Sequence, residues 1–317
     1  MAAKDYQSIR IGSITGDSQT PFDTYLQVGG RYVLYCRNGD YIDGNRLNRL
    51  KQKNINSLYI LKSDMSAYEA YTKRNADAAY THSLGTALDV RADAIVVYNC
   101  RLIERLFADL TSEDVYLELR SSSRRFLDFV CMEQDGMRAL MNVPNPDLKV
   151  SQHGVRVAAL AVALAQEVKW IDNNRPVHLM VMGAFMHDIE FANSGFDYRR
   201  PLSVLSVEEA TTYRGHPMAG AKRLQEITHV ESLVQQIILQ HEEHADGSGF
   251  PKGLKEDEMD PSVLFVGAAN AFDRLITFEQ KEPKDALKAL LIDKMGCYPL
   301  PLLQALQNLL KTRGLVA

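Results

Sequence analysis

Cysteine is sparse in this chain. Four residues, Cys36, Cys100, Cys131 and Cys297, are scattered over 317 positions and never fall at a CxxC spacing, which excludes an all-sulfur zinc site and a dithiol redox pair and predicts buried free thiols. Long apolar runs are missing as well. A run such as Ala158 to Ala165 is far below the roughly 18–20 residues that cross a bilayer as a helix, so no membrane span is expected. The opening MAAKDYQSIR carries charge where a secretory signal has its apolar core, and a cytoplasmic location is the expectation. There is no basic excess. A net charge of −4 argues against a protein that neutralises the backbone of duplex nucleic acid. Phosphate-cradling GxGxxG and P-loop patterns, internal repeats and low-complexity tracts are all absent.

What is present is an ordinary globular composition. Hydrophobic residues make up 46% and charged residues 24%, with 14 Tyr and 11 Phe spread along the chain, so the chain can bury a core and is long enough for two domains. Its first part is rich in turns. Ser8 to Ile14 and Arg31 to Tyr35 read as short strands, punctuated by Gly16-Asp17, Gly29-Gly30 and Asn38-Gly39-Asp40. Asn45 to Asn54 has helical spacing and Ser57 to Leu61 reads as another strand, which gives a small α/β domain over residues 1–62. The charge is uneven: residues 1–75 hold 11 Lys or Arg against 7 Asp or Glu, which suits a docking patch or a solvated face. A regulatory or protein-partner role is the expectation for this domain. From there the pattern is helical and nearly free of Gly and Pro, a connector over residues 63–147 that includes His82. The two prolines of MNVPNPD end it, and residues 148–317 form the rest. The fold class expected is mainly α, with an all-helical C-terminal domain after the small α/β one.

Seven of the eight histidines lie in that last part. They form an ordered set: His153, His187-Asp188, His216-Pro217 and His241-Glu242, followed by Asn270. Imidazole and carboxylate bind first-row divalent metals, and a carboxylate beside a histidine can bridge two of them. Three members of the set stand at the ends of apolar helical stretches. His153 opens VRVAALAVALAQEV, His187-Asp188 closes VHLMVMGAFM, and His241-Glu242 closes VESLVQQIILQ, the placement expected of a metal site inside a helical bundle. Any one of them alone reads as a capping or core histidine. His178 and His229 keep that reading.

The strings MGAFMHDIE, GHPMAG and QHEEHADGSGFPKGL make residues 148 to about 312 resemble the HD-GYP family, bacterial metal-dependent phosphohydrolases that hydrolyse cyclic di-GMP. The resemblance implies an all-helical domain with metal ligands at His153, His187, Asp188, His216, His241, Glu242 and Asn270, Asp188 bridging. It implies two divalent cations, iron first and manganese next. Asp188 would be the central catalytic group, with a metal-bridged hydroxide attacking phosphorus between ions about 3.5 to 4 Å apart. The loop residues Gly249, Phe250 and Pro251 would contact substrate, with glycine allowing close backbone approach and Phe250 stacking on a guanine. Arg200 and Lys252 are the cationic candidates beside them.

The departures from the family pattern bear on activity. Phe191 stands where the family places a phosphate-directed lysine. Phe250 replaces the GYP tyrosine and loses its hydroxyl. Glu242 replaces a histidine and Asn270 an aspartate, so carboxylate is moved between metals and conserved in sum. Lys149 stands where some members place a third-metal glutamate, which predicts two metals. A catalytically degenerate receptor for cyclic di-GMP, or a protein-interaction module, is the alternative reading.

Overall fold

The computed structural model describes residues 5–53, 55–81, 86–172, 174–192 and 194–316. His82 lies outside them. The described chain is mainly helical with a small antiparallel sheet region at its start, and it divides into two compact units, residues 1–98 and 99–317.

In the first unit, strands β1 (Tyr6–Arg10), β3 (Thr24–Val28), β4 (Arg31–Cys36) and β6 (Ser57–Leu61) form an antiparallel sheet in the order β1-β6-β3-β4. The short β2 (Ser18–Gln19) and β5 (Tyr41–Ile42) pair separately. Gly29 and Gly30 turn the β3–β4 hairpin at φ of +55° and +77°, a two-residue turn whose twist matches that of the strands and which glycine enters without strain. The first strand is shorter than its β-branched run suggests. It ends at Arg10 because Ile11–Ser13 coils into a 3-10 turn, with the Ile11 amide donating to Asn56. Helix α1 (Gly44–Gln52) starts where the Asp43 carboxylate caps the Asn45 amide, as expected of an Asp at an N-cap. Ile9, Ile11, Phe22, Ile42, Leu47, Leu58 and Ile60 form the core, closed by Tyr68 and Tyr71 of α2 (Met65–Tyr80).

The unit boundary falls inside α3 (Leu88–Ala108). The second unit continues with α4 (Glu113–Met132) and α5 (Gly136–Asn142), and residue 147 lies in the loop before α6 (Val150–Glu167). Next come α7 (Val177–Met186), α8 (Val207–Arg223), α9 (Ser232–Gln240), α10 (Pro261–Thr277), α11 (Pro283–Asp293) and α12 (Leu300–Thr312). Every residue of α6 from Val150 to Ala165 is buried. A helix apolar on all sides belongs at the centre of a bundle, and α6 packs against α4, α5, α7, α10 and α12. Glycine lets α6 and α7 approach closely. A Cβ on Gly154 would stand 2.9 Å from the Phe185 carbonyl oxygen and 3.0 Å from that of Ala184, so only hydrogen fits there. That contact sets His153 beside His187, with ring centroids 5.1 Å apart.

Candidate metal centre

The site lies within the second unit, and its four histidines are aimed in three ways. His187 and His241 are the C-caps of α7 and α9. The last carbonyls of a helix have no intrahelical donor, and these imidazoles supply one: His187 Nδ1 lies 2.8 Å from the Ala184 oxygen and His241 Nδ1 2.9 Å from that of Ile238. His216 sits inside α8, immediately before Pro217. Proline has no N–H to donate to the carbonyl four residues back, which is that of Tyr213. His216 Nδ1 takes the vacated place, 2.5 Å from the Tyr213 oxygen. His153, in the first turn of α6, uses Nδ1 on Asp273 Oδ2 at 2.7 Å.

With all four Nδ1 atoms engaged by acceptors, each neutral imidazole carries its proton there and turns an Nε2 lone pair inward. These lone pairs converge on Asp188. His153 and His187 Nε2 lie 3.7 and 3.4 Å from Oδ2, and His216 and His241 Nε2 lie 3.3 and 3.6 Å from Oδ1. His216 and His241 also face one another at 2.9 Å between Nε2 atoms, and His187 Nε2 is buried without a hydrogen-bond partner. Four lone pairs and a carboxylate, all buried, repel one another unless positive charge lies among them. A cation fits this donor set. Ligands about 2.1 Å from one ion stand about 3.0–3.4 Å apart at octahedral to tetrahedral angles. Two groups of side chains could each hold a metal ion, His153, His187 and Asp188 on one side and Asp188, His216 and His241 on the other.

Electrostatics point the same way. Burial alone would raise the Asp188 carboxyl, but the surrounding His187, His216 and His241 rings favour its charged form and hold it well below the usual carboxylate range, an anion suited to a cation. Glu242 follows the same pattern: burial acts upward, and His241, His216 and the Tyr213 hydroxyl outweigh it.

The other expected ligands sit at the rim of this cluster. Asn270 Oδ1 is 2.9 Å from His153 Nε2, while its amide nitrogen donates to Glu242 Oε1 at 3.2 Å. Glu242 Oε1 also accepts from Tyr213 Oη at 2.6 Å. The structure thus ties Glu242 to Asn270 and Tyr213. Lys149, at the position of the third-metal glutamate, pairs with Glu104 at 3.0 Å.

The expected substrate contacts are less tightly grouped. The Phe250 ring stands edge-on to Tyr213 and His216, with centroids 6.0 and 6.4 Å away. Gly249 has a reason of its own: a Cβ there would meet the His244 amide nitrogen at 2.3 Å and Glu243 Cα at 2.4 Å. Its close approach is to its own chain. Pro251 follows in the same loop, and Lys252 is exposed, with its backbone amide bound to Glu243 at 2.6 Å. Arg200 is ion-paired with Glu209 and also reaches the Val204 carbonyl. Phe191 is buried with its ring 4.4 Å from that of His216, within an aromatic group that includes Phe196, Tyr198 and Tyr213.

Sequence reasoning missed a supporting layer. Asp273 accepts from Arg156 Nε at 2.6 Å and from Thr277 Oγ1 at 2.9 Å besides orienting His153. Arg274 lies over the Tyr213 ring at 4.8 Å, and the exposed Arg214 over Phe250 at 5.3 Å. A signal for Asp273 existed: it follows Asn270 by three residues on one face of an otherwise apolar helix.

Residues 143–295 match the family model described as HD domain. Part of the chain is similar to a cyclic di-GMP phosphodiesterase of Thermotoga maritima, 32% identical over 142 residues, 44% of this chain and 38% of that protein. It is also similar to a probable cyclic di-GMP phosphodiesterase of Vibrio cholerae, 25% identical over 158 residues, 47% of this chain and 36% of that protein. The chain therefore spans little more than a third of the length of these curated relatives. A solved structure of an HDG"Y"P protein from Bdellovibrio bacteriovorus is similar over nearly the whole chain, with 36% identity, a TM-score of 0.84 and coverage of 97% of this chain and 100% of that one. Likeness at this identity along both units, together with an HD-domain match over the histidine cluster, carries the assignment: the chain belongs to the HD-GYP family.

Proposed function

We propose that this protein hydrolyses cyclic di-GMP at a binuclear metal centre. One cation would be held by His153, His187, Asp188 and the Asn270 carbonyl oxygen, the other by Asp188, His216, His241 and Glu242. The observation that carries the reading is the convergence of four inward Nε2 lone pairs on the two oxygens of one buried carboxylate. The names of the curated relatives support the substrate. A nitrogen- and carboxylate-ligated pair without sulfur suits iron, then manganese. Such a pair lowers the pKa of water and stabilises the charge that builds on a phosphoryl group. The chain's own residues do the rest. Asp188 spaces the cations, the Nδ1 bonds hold the imidazoles in the ligating tautomer, and Gly249 and Pro251 set Phe250 where a guanine can stack. Lys252 is free to meet a phosphate, whereas Arg200 has to exchange Glu209 for one.

A second reading is favoured by one specific observation. The Phe191 ring is packed on His216 where a phosphate-directed cation is expected, which suits a cyclic di-GMP receptor without turnover. One experiment separates the two. Protein purified without oxygen is assayed for iron, manganese and zinc per chain and for cyclic di-GMP hydrolysis, beside Asp188→Ala. About two cations per chain, with turnover lost in the variant, supports hydrolysis. Bound cations and tight cyclic di-GMP binding without product establishes the receptor. No bound metal sinks both metal-centred readings.

For the whole chain we keep a three-part organisation: a partner-binding domain at 1–62, a helical connector at 63–147 and the metal-binding domain from 148. The partner role is supported by β4, an edge strand of its sheet that exposes Val33 and Leu34, since open edges pair readily with other chains. Among the described residues no helix is long and apolar enough to cross a membrane.

A further inference from the structure

A second cluster of ligand types lies apart from the His/Asp centre. His244, Asp246 and Cys297 each present one donor atom within 4.8 Å of the others. We propose that they form a mononuclear site for a thiophilic divalent cation, with zinc the best match, that joins the loop before Phe250 to the turn between α11 and α12. The donor set is one sulfur, one imidazole nitrogen and one carboxylate oxygen. Thiolate selects borderline and soft metals over magnesium, calcium or manganese, and three protein ligands leave a fourth position to water.

The backbone places these groups without help from a metal. The Ala245 amide donates to the Cys297 carbonyl at 2.7 Å, fastening the residue beside His244 to Cys297. Gly296, at φ of +90°, turns the chain so that Cys297 follows it inward, and a Cβ at Gly296 would lie 3.5 Å from Asp246 Oδ2. Tyr298 anchors the same turn through a 3.0 Å bond from its hydroxyl to the Gly267 carbonyl. On the loop side, the Ser248 amide donates to Asp246 Oδ1 at 2.9 Å and the Ser248 hydroxyl pairs with His244 Nδ1 at 2.9 Å. His244 and Cys297 are buried while Asp246 is exposed, so the open position faces solvent on the Asp246 side and a cation can enter there. Binding replaces the Cys297 thiol proton with the metal and releases that proton to water. It closes a link across some fifty residues of chain and holds the loop that leads to Phe250.

The test uses the full chain and cobalt(II) as a probe, because a thiolate-to-cobalt charge-transfer absorption can come only from a sulfur ligand. The donors of the His/Asp centre contain no sulfur, so the result is independent of whether that centre hydrolyses anything. The wild type is expected to develop the band with about one cobalt beyond those in the His/Asp centre, and zinc to displace it. Cys297→Ser is expected to lose the band, and His244→Gln to bind about tenfold or more weakly. Retained metal at the His/Asp centre shows that each variant is folded. A measurement without any variant is zinc protection of Cys297, but not of Cys36, Cys100 or Cys131, against alkylation read by peptide mass. No band in the wild type, a band that survives Cys297→Ser, or alkylation of Cys297 indifferent to zinc overturns the proposal.

Discussion

His153 and Asp273 are joined by a 2.7 Å contact between Nδ1 and Oδ2, across 120 residues of sequence. The carboxylate fixes the tautomer that leaves His153 Nε2 facing Asp188, and Arg156 and Thr277 hold the carboxylate in turn. Asp273→Asn is expected to weaken metal binding on the His153 side by about 10- to 100-fold, the usual effect of losing such a support. The His216–His241 side should keep its affinity. Metal titration against a competing chelator reads this as stoichiometry falling from two toward one, and unchanged affinity at both sites would refute the role.

Gly154 is the contact on which the meeting of His153 and His187 depends. Gly154→Ala forces α6 away from the carbonyls of Ala184 and Phe185. Overpacking of this kind costs about 1–3 kcal/mol, and it separates the two imidazoles. Thermal melts should show lower stability, with metal affinity reduced as well. A variant as stable as the wild type with full metal content would contradict the close packing.

Pro217 yields a prediction with two signs. Pro217→Ala restores an amide that competes with His216 Nδ1 for the Tyr213 carbonyl, so α8 should gain stability because proline is a poor interior helix residue. His216, deprived of its acceptor, should bind metal about tenfold more weakly. Melting of the metal-free protein and metal titration together test this. A variant that loses stability and keeps its affinity goes against the argument.

Alkaline pH should destabilise the first unit through Tyr25. Burial, aided by the hydrogen bond and charge of Asp23, raises its phenol from 10 to about 12. A raised pKa means that the folded state favours the protonated form, so the contribution is complete below about pH 10 and is lost as pH rises toward about 12. Tyr25→Phe has no such proton to lose, and its stability should fall less over that interval. Denaturant melts of both proteins between pH 9 and pH 12 measure the difference.

Much of the metal centre was legible because its ligands are local punctuation. His187 and His241 end apolar helices, and the unmet carbonyls at a helix terminus are what an imidazole there can serve. The Asp188 neighbours could thus be found from helix periodicity and residue type. Asp273 shares a helix face with Asn270, but its pairing with His153 could not be found that way, since the contact crosses 120 residues. Tyr213 was not singled out from the sequence; its carbonyl lies under His216 because Pro217 leaves it free, and the fold places its hydroxyl on Glu242. Gly249 showed that a glycine was needed, but not that the neighbour demanding it was the backbone of Glu243 and His244.

By itself the sequence determined the mainly helical class and the order of the histidine–acid pairs, which follow from residue type and spacing along one chain. The family resemblance added that Phe191 and Phe250 stand where the family places a phosphate-directed lysine and the GYP tyrosine. Only the tertiary structure decided which nitrogen of each histidine faces inward, that Asp188 offers one oxygen to each imidazole pair, and that Cys297 stands beside His244 and Asp246. Such relations depend on how separate helices pack, and packing distances between residues far apart in sequence are set by the whole core and not by any local pattern.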